Sequence, residues 1–185
     1  MKLFFQCVLV VTLLATLSCS KDETNNTNMK VVKNGTTFTT TSVNATFLIA
    51  EELGELVRRL DITATIDGGL FTITVSNWDW QNPPVDGIIT KKYDTNANVV
   101  AGPNTKCKIV GDVGYCDSGL GTYIYKSDIY SSFDLESEEN GLITITQNDP
   151  GNKTVSGTFE FITSTFSGEK ITFSGTFDNI KYRKI

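Results

Sequence analysis

The feature that most constrains this chain is a two-residue rhythm. Phe71, Ile73 and Val75 alternate with Leu70, Thr72, Thr74 and Ser76, and Leu60, Ile62, Ala64 and Ile66 keep the same beat just before them. Successive side chains of an extended strand point to opposite faces, so this alternation sets one apolar row toward a core and the other toward solvent. Between the two runs stands Asp67-Gly68-Gly69. Glycine supplies the positive φ that a tight turn needs, so the pair reads as a hairpin. The rhythm returns at Ile143 and Ile145, at Val155, Gly157, Phe159 and Phe161, and at Ile171, Phe173, Gly175 and Phe177. Repeated period-two segments separated by turn signals predict an all-β fold: an antiparallel two-layer β-sandwich or flattened barrel of about eight to ten strands.

Two stretches fit less simply. From Glu51 to Leu60, apolar residues fall at 53, 56, 57 and 60, which is helical spacing, but Gly54 disfavours a helix. The flanks on both sides alternate like strands, which favours a hairpin turning near Leu53-Gly54 over a short helix. From Asn82 to Gly121, Pro83-Pro84, Ala101-Gly102-Pro103 and several glycines predict long loops, with alternation resuming from Thr122 to Ile129.

The cysteines sort by position. Met1-Lys2 opens an apolar run from Leu3 to Leu17 with small residues near Ser18, the pattern of a secretory signal peptide. At about 15 residues, the run is short of the roughly 20 that cross a bilayer as a helix. Leu17-Ser18-Cys19-Ser20 resembles the lipobox of bacterial lipoproteins, whose cysteine is acylated and becomes the mature N-terminus. On that resemblance residues 1–18 are a lipoprotein signal peptide, 19–29 a lipid-anchored flexible tether and 30–185 a single β domain. The other outcome at Cys19 is ordinary cleavage leaving a free thiol. Cys7 is lost with the signal. Cys107 and Cys116 remain, and an even count in an exported chain reads as one disulfide. Removing residues 1–18 leaves 15 basic against 21 acidic side chains, a charge of −6. An acidic domain of this kind is expected to bind no nucleic acid and to meet the membrane through its lipid rather than through basic residues. Lys21-Asp22-Glu23 resembles the short acidic signal that sends Bacteroidota lipoproteins to the outer face of the outer membrane, with the periplasmic leaflet as the alternative placement.

Ser156-Gly157-Thr158-Phe159 recurs as Ser174-Gly175-Thr176-Phe177, each followed by one acidic residue, Glu160 and Asp178. Together with Asn34-Gly35-Thr36-Thr37-Phe38 and the segment from Gly141 to Asp149, this paired hairpin resembles an uncharacterised family of small Bacteroidota outer-membrane lipoproteins. The resemblance implies a β-rich domain outside the cytoplasm and no catalytic residues. The glycines also have a physical reading: a position without a side chain beside a large ring lets a neighbouring aromatic fold over the backbone.

Candidate chemistry is sparse. The chain has no histidine, which excludes a Ser-His-Asp triad, a Cys-His dyad and the commonest metal ligand. Two cysteines without histidine do not make a zinc set, no calcium-loop spacing occurs, and neither a metal nor a cofactor is expected. Asp112, Asp117, Glu136, Glu138 and Glu139 are the acids a glycosidase would need in a facing pair. The run from Glu136 to Asn140 reads better as a solvated loop. Trp78 and Trp80 stand two apart, on one face if the strand continues. Exposed, they form a platform for sugar rings; buried, they are core. The function expected is therefore a non-enzymatic, lipid-anchored envelope protein with a binding or structural role. Its ligand is a glycan or a protein left unspecified, and the alternative is a carbohydrate-binding module using Trp78 and Trp80.

Overall fold

The computed structural model describes residues 28–52, 55–78, 87–95, 103–110, 113–132 and 141–185. Cys19, Trp80, Asp112, Glu136, Glu138 and Glu139 lie outside them. The fold is all-β, as the alternation predicts. Eleven strands form one large sheet: β1 (Asn28–Lys33), β2 (Thr36–Thr40), β3 (Val43–Glu52), β4 (Glu55–Ile66), β5 (Gly69–Trp78), β6 (Lys92–Asp94), β9 (Ser118–Tyr125), β10 (Asp128–Ser131), β11 (Leu142–Asp149), β12 (Thr154–Ser164) and β13 (Lys170–Lys184). A separate two-stranded ribbon pairs β7 (Cys107–Val110) with β8 (Val113–Cys116). The strands beyond the expected number are short pieces, chiefly β6, β7, β8 and β10.

The large sheet closes on itself. Its order is β2-β1-β13-β3-β4-β5-β9-β10-β12-β11-β6, and β12 also pairs with β13. β3, β4, β5, β9 and β10 thus form one layer, and β1, β13, β12 and β11 the other. They join where β10 meets β12 at Ser131 and Ser164, and where the end of β13 runs parallel to β3, with Tyr182 opposite Ala45. The other pairings are antiparallel. The result is a flattened barrel filled by aromatic rings. Phe71 from one layer meets Phe159 at 5.4 Å and Phe173 at 5.0 Å from the other, centroid to centroid.

Hairpin chemistry fixes the register. Asp67 and Gly68 both take positive φ, 48° and 73°, between Ile66 and its partner Gly69, as a two-residue hairpin turn requires. β3 and β4 pair antiparallel up to Glu52 opposite Glu55, so the described residues of 51–60 are strand and not helix, while the expected turn at Leu53-Gly54 lies outside the described residues. Two boundaries move. β1 begins at Asn28, and Met29, expected in the tether, is fully buried. The alternation from Thr122 to Ile129 spans two strands joined at Lys126, whose φ is 55°.

The paired SGTF segments form a reciprocal lock. Gly157 lies opposite Phe177, and Phe159 lies opposite Gly175. A Cβ built on Gly175 would fall 2.6 Å from the Phe159 ring, and one on Gly157 within 2.9 Å of the Phe177 ring. Each ring therefore covers the partner's glycine, as the sequence suggests. Ser156 sits where the β12 register shifts; its hydroxyl donates to Asp178 at 2.9 Å and accepts from the Asn179 amide at 3.0 Å.

Candidate functional site

Among the described residues, polar or concave chemistry gathers at several places. The first is the end of the barrel where β5 finishes and the cystine ribbon begins. Cys107 and Cys116 stand directly opposite in the β7–β8 ribbon and are joined, with Cα atoms 4.1 Å apart. Just below, the Asp117 amide donates to the Lys106 carbonyl at 2.9 Å. The Asp117 carboxylate is buried and both oxygens are used. Oδ1 accepts from the Trp78 amide at 2.9 Å, and Oδ2 pairs with the Lys91 ammonium. Lys91 Nζ also lies 4.9 Å above the Tyr93 ring. The Tyr93 hydroxyl donates to the Ile89 carbonyl at 2.8 Å. Burial, helped by the negative charge of Asp117, raises its phenol far above the ordinary tyrosine range.

Asp94, also buried, is filled the same way. It accepts from the Asn104 amide at 3.0 Å, from Asn104 Nδ2 at 2.9 Å and from the Thr105 hydroxyl at 2.8 Å. Both acids thus pin connecting segments to the barrel. A catalytic carboxylate needs an oxygen turned toward a substrate, and these oxygens are turned toward the chain.

Trp78 is 9% exposed, its ring 5.1 Å from that of Tyr115 in an edge-to-face contact. It corrects the platform reading for this residue: Trp78 projects from the side of β5 away from the core row of Phe71, Ile73 and Val75, and the cystine ribbon lies over it. An indole so covered has no open face for a sugar ring. Beside it, Asn77 and Arg58 are opposite one another on β5 and β4, both buried and both on the inward row. Sequence reasoning passed over them, although the phase of Leu60, Ile62 and Ala64 extends backward to Arg58 and that of Phe71, Ile73 and Val75 extends forward to Asn77. The competing helical spacing over 51–60 hid that phase. Asn77 Oδ1 accepts from the Ile89 amide at 3.4 Å, while Nδ2 has no hydrogen-bond partner among the described residues.

The second place is an open groove of about 610 Å³ on the outer face of β1, β13, β12 and β11. Val32, Ser174, Glu160 and Leu142 cross it as one register row, with Thr172 and Ile162 beside them. It mixes short apolar and hydroxyl side chains with one carboxylate, a surface suited to contact rather than to bond-making.

The third is the opposite, hairpin-tip end. Lys33 Nζ donates to Asp67 at 2.7 Å and to the Tyr123 hydroxyl at 3.2 Å, and lies 4.6 Å above the Tyr123 ring. Burial works against the Lys33 ammonium, but these hydrogen bonds outweigh it and raise its pKa. This holds the lysine charged, as a clasp between β1 and the β4–β5 turn and not as a nucleophile.

Among the described residues, no group of three His, Cys, Asp or Glu side chains is placed to hold a metal ion. No family model, curated protein or solved structure matches this chain.

Proposed function

We propose that this chain is a lipid-anchored cell-envelope protein that works by binding or scaffolding and not by catalysis. Cys19 carries the lipid, and the β domain is held at the outer membrane surface. The observation that carries the reading is the use of the buried acids. Every oxygen of Asp94 and Asp117 is engaged in fixing the chain, so the best-placed carboxylates serve the fold. The apolar leader ending at Leu17-Ser18-Cys19 supports the anchor. The groove across β1, β13, β12 and β11 is the face on which a ligand or partner would rest. Cell fractionation tests the proposal. Wild type should sediment with membranes and Cys19→Ala should appear in the soluble fraction; equal sedimentation of both would count against a lipid at Cys19. Protease added to intact cells should degrade the protein, and protection would place it on the periplasmic leaflet.

A further inference from the structure

The hairpin-tip end carries an apolar surface that the fold does not use. Leu70, Ile124 and Ile129 are direct register neighbours across β5, β9 and β10, so their side chains lie side by side on the outward face. They are 43%, 39% and 59% exposed. At the same end, the turn between β12 and β13 holds Phe166 out completely, at 101% exposure. Leu70, Ile124 and Ile129 form a continuous row rather than singly scattered residues, and Phe166 protrudes at the same end of the barrel.

We infer that this end seats itself in the surface of a lipid bilayer. Shape argues for lipid over a protein partner. A ring standing fully clear on a hairpin tip needs a matching hollow in a protein, whereas lipid chains fit around any protrusion. Charge limits which lipid. Exposed Lys126 and Lys170 share these turns with exposed Asp128 and Glu169, so the rim has no net sign and does not favour anionic headgroups. Reach permits the pose. Nine residue steps separate Cys19 from Asn28, which fully extended span about 30 Å. β1, of six residues, runs about 20 Å from Asn28 to the tip end. A lipid at Cys19 and the hairpin tips can therefore meet one membrane. This last argument rests on the lipid-anchor reading; the exposed row and Phe166 stand without it.

The test uses the chain from Ser20 to Ile185, which keeps every described strand and carries no acyl group, so its outcome is independent of Cys19. Sedimentation with large neutral phosphatidylcholine vesicles should pull down the protein to nearly the same extent in low and high salt. Phe166→Ser and Ile129→Ser should each lower the partition coefficient by about tenfold, since each removes an apolar side chain from the lipid phase. Ile109→Ser, at an exposed position on the cystine ribbon away from the tips, should leave it unchanged. Absence of vesicle binding would overturn the inference, as would binding unaffected by Phe166→Ser and Ile129→Ser. Concentration-dependent self-association abolished by those substitutions, without vesicle binding, would instead identify the surface as a contact between copies and also overturn it.

Discussion

Substituting alanine at Gly157 or Gly175 should damage this fold more than a single added methyl group ordinarily does. At Gly175 the new Cβ would sit 2.6 Å from Phe159 Cζ and nearer still to the Lys30 carbonyl oxygen. At Gly157 it would press on the Phe177 ring and on the Thr144 carbonyl oxygen. A ring can swing away, but the carbonyls belong to backbone ladders: Lys30 is in β1 beside β13, and Thr144 is in β11 beside β12. Relief therefore requires strands to separate. Overpacking of a rigid core costs typically 1–3 kcal/mol and more where backbone must move, so about 2–4 kcal/mol is expected for each. For a domain of this size that is roughly a 5–15 °C fall in Tm. Gly168→Ala is the comparison. Nothing lies within 4 Å of its Cβ position, but its φ is +86°, so only the left-handed backbone penalty of about 1–2 kcal/mol applies. Thermal and urea unfolding followed by circular dichroism give the three values. If Gly157→Ala and Gly175→Ala cost no more than Gly168→Ala, the reciprocal ring-over-glycine lock is not what holds β12 to β13.

Three further outcomes follow from the ends of the barrel. Asp117→Ala should cost about 2–4 kcal/mol in urea unfolding, because the Trp78 amide loses its buried acceptor and Lys91 its counter-ion; a loss below about 0.5 kcal/mol would show that water takes over both roles. Reducing Cys107–Cys116 should remove up to about 3 kcal/mol, by the entropy of closing so short a loop, and free the ribbon from Trp78. Tryptophan emission should then shift to the red, and an unmoved spectrum would mean that Tyr115 holds the ribbon down unaided. Tyr93 and Lys33 both have folded-state pKa values above their unfolded ones, so their contribution is complete below about pH 10 and is lost as pH rises through the folded values. Urea midpoints should fall from pH 9 to pH 11, less steeply in Tyr93→Phe; an equal fall in that variant would remove Tyr93 from the explanation.

What the sequence made legible was local. Asp67-Gly68 announced its hairpin because a two-residue turn with positive φ leaves few residue choices. The inward rows of β4, β5, β12 and β13 followed from alternation, and the ring-over-glycine arrangement from the repeated SGTF segments. The parallel seam between β13 and β3 was not legible. Alternation tells which face a residue takes but neither which strand it meets nor in which direction, and Tyr182 and Ala45 lie far apart in the chain. Burial of Trp78 was one of the two readings the sequence left open, but what covers it was not legible, for a related reason. The cover depends on Tyr115, carried back over β5 by a ribbon outside the main sheet. The Lys91–Asp117 pair spans the stretch richest in loop signals, where no periodicity indicates which polar groups face inward.

The proposed function rests on a lipid at Cys19. Growing cells that express the protein with a labelled palmitate, followed by purification and gel analysis, examines it directly. Wild type should give a labelled band and Cys19→Ala none, with Cys107 and Cys116 present in both. An unlabelled wild type, or a Cys19→Ala protein labelled to the same extent, would contradict it.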